Sequence, residues 1–240
     1  MPITNQASGT NINEIAERIY RISTPLEVMP GGFTFNQYLI VDDAPLLFHT
    51  GLRRIFPLVS EAVASVIPPE SLRYIAFSHY EADECGSLND WLAVAPNAVP
   101  LCGKLAAMLS VNDTALRPAK ELADGETLSL GKSVVRWFDT PHLPHGWECG
   151  YLMEETTRTL FCGDLFTQPG GNPPPITDGD ILSPSEMLRG HLDYYAYSKN
   201  SGALFAKLAA ARPAILACMH GSAWRGDGAD LLKELSKKIG

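Results

Sequence analysis

Three short apolar runs in this chain each end on a side chain able to bind a metal ion. Residues 74–77 run into Ser78-His79, residues 159–162 into Gly163-Asp164, and residues 214–219 into His220. Runs this short, rich in apolar, β-branched or aromatic residues and bounded by turn formers, read as buried strands. Where buried strands alternate with helices, polar residues just past the strand ends collect along one edge of the sheet. The alternation of strands and helices therefore predicts an α/β or α+β layered sandwich, and three separate strand ends delivering His, Asp and His point to one shared site.

The rest of the chain agrees with that plan. Residues 15–22 and 37–41 read as strands, and residues 45–49 as a hairpin partner after the Asp42-Asp43 turn, so the chain should open with a small antiparallel sheet. Residues 58–67 carry apolar positions at helical spacing and stop at Pro68-Pro69. Further helices are expected over 83–92, 104–109, 201–211 and 229–238, and further strands over 133–137 and 150–153. The Pro- and Gly-rich segment 168–184 is longer than most connections and reads as a lid or linker. At 240 residues the expectation is one domain, 1–240, with 1–13 a flexible N-terminal segment.

Composition excludes several classes. A net charge of −8, with only 19 Lys and Arg scattered along the chain, gives no basic surface for nucleic acid. Five cysteines without a CxxC pair cannot complete a disulfide framework within one chain, which suits a reducing compartment. The N-terminus shows no signal-peptide pattern, and the most apolar stretch, 202–219, is broken by Lys207, Arg212 and Pro213, so it cannot cross a bilayer. The expected setting is cytoplasmic, with no membrane partner.

The segment His79-Tyr80-Glu81-Ala82-Asp83-Glu84 sets an imidazole and two carboxylates at alternate positions, which an extended chain would point the same way. His79, Glu81 and Asp83 can thus converge; read alone, the segment fits a polar strand end equally well. It resembles the first metal motif of the metallo-β-lactamase superfamily, usually HxHxDH, and more closely the HxExDH variant of flavodiiron proteins and of stand-alone oxygen-binding diiron proteins. The likeness continues in order through Thr140-Pro141-His142, Phe161-Cys162-Gly163-Asp164-Leu165 and His220-Gly221-Ser222-Ala223-Trp224-Arg225, spanning roughly residues 15–235.

That resemblance implies a metallo-β-lactamase-like αββα sandwich with two metal ions. His79, Glu81 and a histidine of the His142 segment would hold the first, Asp83 and His220 the second, and Asp164 would bridge them. The sequence departs from the family twice. Glu84 stands where the diiron family most often has His, and either ligates the second metal, turns away or forms a salt bridge elsewhere. The family's third ligand commonly precedes a proline by two positions, a spacing His142-Leu143-Pro144 keeps, so His142 is expected as the ligand and His145 behind it, holding a ligand or a proton. Oxygen-rich coordination favours iron, with zinc and manganese as alternatives.

Asp164, Asp83 and Glu84, with His145, Tyr194 and Tyr195 as hydrogen-bonding groups, are the candidate catalytic residues. His191 and Tyr197 could line the same pocket. His49 reads as a core or turn histidine, Cys85 and Cys149 as inert buried thiols, and the Gly31-Gly32 turn lacks the context of a dinucleotide site. The resemblance implies a diiron protein that binds or reduces dioxygen, nitric oxide or peroxide with an external electron donor, and a head-to-tail homodimer. The alternative is a metal-dependent hydrolase of an ester, thioester, lactone or phosphoester, using a metal-bridging hydroxide.

Overall fold

The computed structural model describes residues 2–239. Its first sheet has eight strands in sequence order: β1 (Ile3–Asn5), β2 (Thr10–Ala16), β3 (Ile19–Leu26), β4 (Phe33–Ile40), β5 (Leu46–Phe48), β6 (Tyr74–Ala76), β7 (Val99–Gly103) and β8 (Lys120–Leu122). The second has seven: β9 (Thr127–Ser129), β10 (Val134–Asp139), β11 (Gly150–Glu154), β12 (Thr159–Phe161), β13 (Ile176–Thr177), β14 (Ile215–Ala217) and β15 (Ala223–Arg225), in the order β13-β15-β14-β12-β11-β10-β9. Strands β1 to β5 pair antiparallel and β5 to β8 parallel.

Side chains sort between the layers with the two-residue period of a strand. Tyr38, Ile40, Leu46 and Phe48 of the first sheet meet Trp137, Leu152 and Phe161 of the second in a central core. Their neighbours Leu39, Leu47 and Ile75 face outward to α1 (Phe56–Ala64), and the helices after it, α2 (Ala82–Cys85) and α3 (Leu88–Val94), contribute Cys85, Leu88 and Trp91 to that outer layer. Residues 104–114 form α4 (Lys104–Ala106) and α5 (Asn112–Thr114) around a π turn at Ala107–Val111. After α6 (Leu182–Leu192), α7 (Ser201–Ala210) and α8 (Gly228–Ile239) cover Tyr151, Leu160 and Leu216 of the second sheet. This is the αββα sandwich that the family resemblance implies. No described helix is long and apolar enough to cross a membrane.

Several local readings change. Residues 2–13, expected to be flexible, form β1 and half of β2, because β2 buries Ile12 and pairs with β3. The expected strand 15–22 is two strands, turned at Arg18 with φ 60. The small opening sheet is the antiparallel half of a mixed one, since β5 finds its next partner in β6, after α1. Segment 168–184 is a tied-down connection, in which Gly170 and Gly171 donate to the carbonyls of Gly32 and Gly31 at 3.1 and 3.0 Å and β13 pairs with β15.

Candidate metal centre

The strands that end in candidate ligands end together. β12 and β14 are parallel neighbours, with Phe161 opposite Ala217, so Asp164 and His220 leave the second sheet side by side. Ser78 O accepts from Gly150 N at 2.8 Å, joining the end of β6 to the second sheet, and Met219 O accepts from Asn36 N at 2.9 Å. Gly163 has φ +49, and a Cβ there would lie 2.9 Å from Ser78 Oγ. Glycine is therefore what lets the Asp164 turn approach the His79 turn this closely.

The motif from His79 to Glu84 is not an extended strand. Residues 78–81 are a bend, and Glu81, with φ −126 and ψ 166, stands at the N-cap of the single turn α2. Convergence of its side chains comes from the bend and the helical turn together, with Thr50 N donating to Glu84 O at 2.7 Å to hold that turn against the end of β5.

Around one point lie His79, Glu81 and His145. Their ring nitrogens are 2.9 Å apart, Nε2 to Nε2, with Glu81 Oε1 3.2 Å from His145 Nε2 and Glu81 Oε2 3.7 Å from His79 Nε2. Around a second point lie Asp83, Glu84 and His220, with Asp83 Oδ2 3.4 Å from His220 Nε2. Asp164 lies between: Oδ2 is 3.6 Å from both His79 Nε2 and His145 Nε2, and Oδ1 is 3.4 Å from His220 Nε2.

Backbone carbonyls decide which ring nitrogens face the cluster. His145 Nδ1–H donates to Tyr194 O at 2.8 Å and His220 Nδ1–H to Thr34 O at 2.8 Å, which leaves both Nε2 lone pairs directed inward. His79 Nδ1 meets Ser78 Oγ at 2.9 Å, and Ser78 Oγ meets His49 Nε2 at 3.0 Å. Phe33 stacks on the His220 ring at 4.2 Å. The Nε2 atoms of three imidazoles thus face one another and four carboxylates. Glu84 Oε1 and Oε2 and Asp164 Oδ1 are buried with no hydrogen-bond partner. Such a donor set is unfavourable unless positive charge sits among it, and His, Asp and Glu at these spacings fit a pair of divalent cations.

The ionisation preferences say the same. Burial disfavours the imidazolium form of His220, but Asp164 and Asp83 outweigh it and push the ring up to about 9. Burial likewise opposes charge on His79 and His145, and their carboxylate neighbours, chiefly Glu84 and Glu81 respectively, reverse it. Glu81 is held at about 2 by its contacts with His145 and His79. Burial alone would raise Asp164, yet the three histidines bring it below the usual carboxylate range. Glu84 is the exception, because its complete burial pushes it well above that range.

The preference for His142 over His145 is corrected. His142 is exposed with φ 65, its N–H turned back on Gly146 O at 2.7 Å, and this left-handed turn carries His145 to the cluster instead. Glu84 points into the site. Tyr194 contributes its carbonyl to His145, while its hydroxyl donates to Asp164 O at 3.3 Å. The Tyr195 hydroxyl is buried without a partner and its ring packs on Tyr194, so neither phenol bonds a candidate ligand atom. His191 bonds Met187 O on the exposed face of α6, and Tyr197 OH donates to Asp193. All five cysteines are buried and free, and burial raises Cys85. Sequence reasoning missed Ser78, His49 and Thr34 as partners of the ligand histidines. Ser78 adjoins His79 and was open to notice; Thr34 lies 186 residues from His220 and gives no local signal.

Residues 33–221 match the profile of a family described as ODP family beta lactamase. The rubredoxin-oxygen oxidoreductase of Megalodesulfovibrio gigas is 30% identical over 143 residues, 58% of this chain and 35% of that protein. The flavo-diiron protein FprA2 of Clostridium acetobutylicum is 29% identical over 138 residues, 56% of this chain and 34% of that protein. The chain thus matches about a third of the length of these two relatives. The metal-soaked Flv1 flavodiiron core from Synechocystis sp. PCC6803 shares the fold, with a TM-score of 0.83 at 21% identity over 96% of this chain and 60% of that one.

Proposed function

We propose a function from the premise that this chain belongs to the ODP family of β-lactamase-fold domains: it is a diiron protein that binds or reduces dioxygen, nitric oxide or peroxide. His79, Glu81 and His145 would hold one iron, Asp83 and His220 the other, and Asp164 both. The observation that carries this reading is the donor set. Four carboxylates facing three imidazoles balance the charge of two divalent ions with mostly oxygen ligands, a composition that suits iron better than zinc.

When bound, the iron pair supplies the electrons and the open coordination that a diatomic ligand requires. The chain's own residues do the rest. Tyr194 O and Thr34 O fix the tautomers of His145 and His220, so the rings present lone pairs without rearrangement. Phe33 and Phe35 wall the His220 side against water. Glu81, half-exposed and hydrogen-bonded to two histidines, is the ligand that faces solvent. A cavity of about 400 Å³, lined by Arg53, Tyr80, Cys85, Asn89 and Thr114, borders the cluster at Glu81. The reading includes an external electron donor and a homodimer, and involves neither nucleic acid nor a membrane.

Matched iron and zinc preparations test it. The reduced iron protein should consume dioxygen or bind nitric oxide with a change in its visible spectrum, and the zinc protein, with a filled d shell, should do neither. Turnover of thioester, lactone or phosphodiester substrates by the zinc form, with an optically silent reduced iron form, would return the chain to the hydrolase reading.

A further inference from the structure

We propose that Glu84 is a second bridging carboxylate, binding both metal ions beside Asp164. The proposal rests on the two-metal reading and deepens it. Among the described residues, Glu84 alone belongs both to a cluster with the first ion's His79 and Asp164 and to a cluster with the second ion's Asp83 and His220, each cluster having its ligand atoms within 4.8 Å of one another. Its Oε2 is 3.9 Å from His79 Nε2.

Two further observations point the same way. Glu84 is 0% exposed, and neither carboxylate oxygen has a hydrogen-bond partner. Burial without donors disfavours the ionised form of Glu84, so a cation is what would hold it as a carboxylate, and one oxygen would stay unpaired if only the other bound that cation. Both oxygens are satisfied when each takes an ion, or when both chelate one, and it is the place of Glu84 in both clusters that selects the first arrangement. The backbone is also fixed: Thr50 N donates to Glu84 O at 2.7 Å, and Ser87 N to Gly51 O at 3.2 Å, so α2 is held at both its own turn and the one after it. Glu84 thus starts from a main chain held against the end of β5, and its side chain is fully buried among the candidate ligands.

The chemistry of the residue fits the position. An imidazole there would offer one lone pair to one ion, whereas a carboxylate offers two oxygens. With Asp164 on one side and Glu84 on the other, the two ions share two anionic bridges, and loss of either bridge weakens both ions together.

Manganese(II) titration of the full chain separates the possibilities, with affinity read at each site and exchange coupling between the ions read by electron paramagnetic resonance. Wild type should take two equivalents with a coupled spectrum. Glu84→Gln, which keeps the volume but loses the anionic bridge, should weaken both sites by roughly tenfold or more, since even outer contacts of a metal ligand carry 10- to 100-fold. Glu84→His, able to serve one ion only, should alter the coupling and fail to restore the first site. Circular dichroism checks that each variant folds, and if Glu84→Gln does not, Glu84→His decides. A first site of wild-type affinity in either folded variant, with only the second weakened, overturns the bridge and leaves Glu84 terminal. Fewer than two equivalents in wild type removes the two-metal reading itself, and the bridge with it.

Discussion

His142 and His145 share one loop, and a spacing rule favours the wrong one. The HxP pattern assumes that the residue before Leu143-Pro144 faces the metals. Position 142 instead adopts φ 65 and bonds back to Gly146 O at 2.7 Å, and a left-handed turn leaves no mark in a one-dimensional pattern unless glycine occupies it. His145→Ala should therefore lose at least one of two bound metals, whereas His142→Ala should keep both, as measured by elemental analysis of protein purified without oxygen. Equal losses would place His142 in the site. The acidic positions were more legible, because Glu81, Asp83 and Asp164 follow motif spacing directly. Glu84 was not, since its direction depends on which face of the short turn α2 meets the sheet edge, and that is set by Thr50, 34 residues away in sequence.

At the scale of elements, the sequence discloses strands by their ends and hides how they pair. The runs before His79, Asp164 and His220 are strands β6, β12 and β14, readable because each is a short apolar burst closed by turn formers. β8, β9 and β15 lack such bursts, being three-residue strands with exposed or half-buried positions, and only tertiary pairing makes them strands. One cross-sheet tie is Asp42, in the turn between β4 and β5. Its carboxylate accepts from Ser133 N at 2.7 Å and Lys132 N at 3.1 Å in the turn between β9 and β10. Burial would raise Asp42, but these amides and that of Asp43 win and lower it from 3.8 to about 2. A carboxylate with a depressed folded pKa contributes stability that is fully present above its ordinary value and lost as pH falls through the folded one. Asp42→Ala should cost on the order of 2 kcal/mol at neutral pH, as hydrogen bonds to a charged group do. Denaturant titrations of wild type and variant should converge as pH falls from 3.8 to about 2; a gap that persists unchanged at the lowest pH would mean that packing, not the ionised carboxylate, makes the tie.

At the scale of the whole molecule, alternation of helices and strands was enough to predict a layered sandwich, the family resemblance supplied its αββα order, and the layers are enough to explain why distant segments meet. Parallel β12 and β14 deliver Asp164 and His220 to one edge, β6 delivers His79 to the facing edge, and the loop from β10 to β11 closes over them with His145. What remained hidden is cross-sheet recognition, such as Asn36 Nδ2 donating to Gly221 O at 2.8 Å and Arg21 to the same carbonyl at 2.7 Å, where the partners lie far apart in sequence and carry no periodic signal. In the proposed function this edge holds two metal ions with Asp164 between them. Anomalous scattering at the iron edge, from crystals of protein expressed with iron and purified without oxygen, tests it directly. The predicted map has two peaks per chain, one against His79, Glu81 and His145 and one against Asp83 and His220, both in contact with Asp164. A single peak, or two peaks of which one lies away from Asp164, would contradict it.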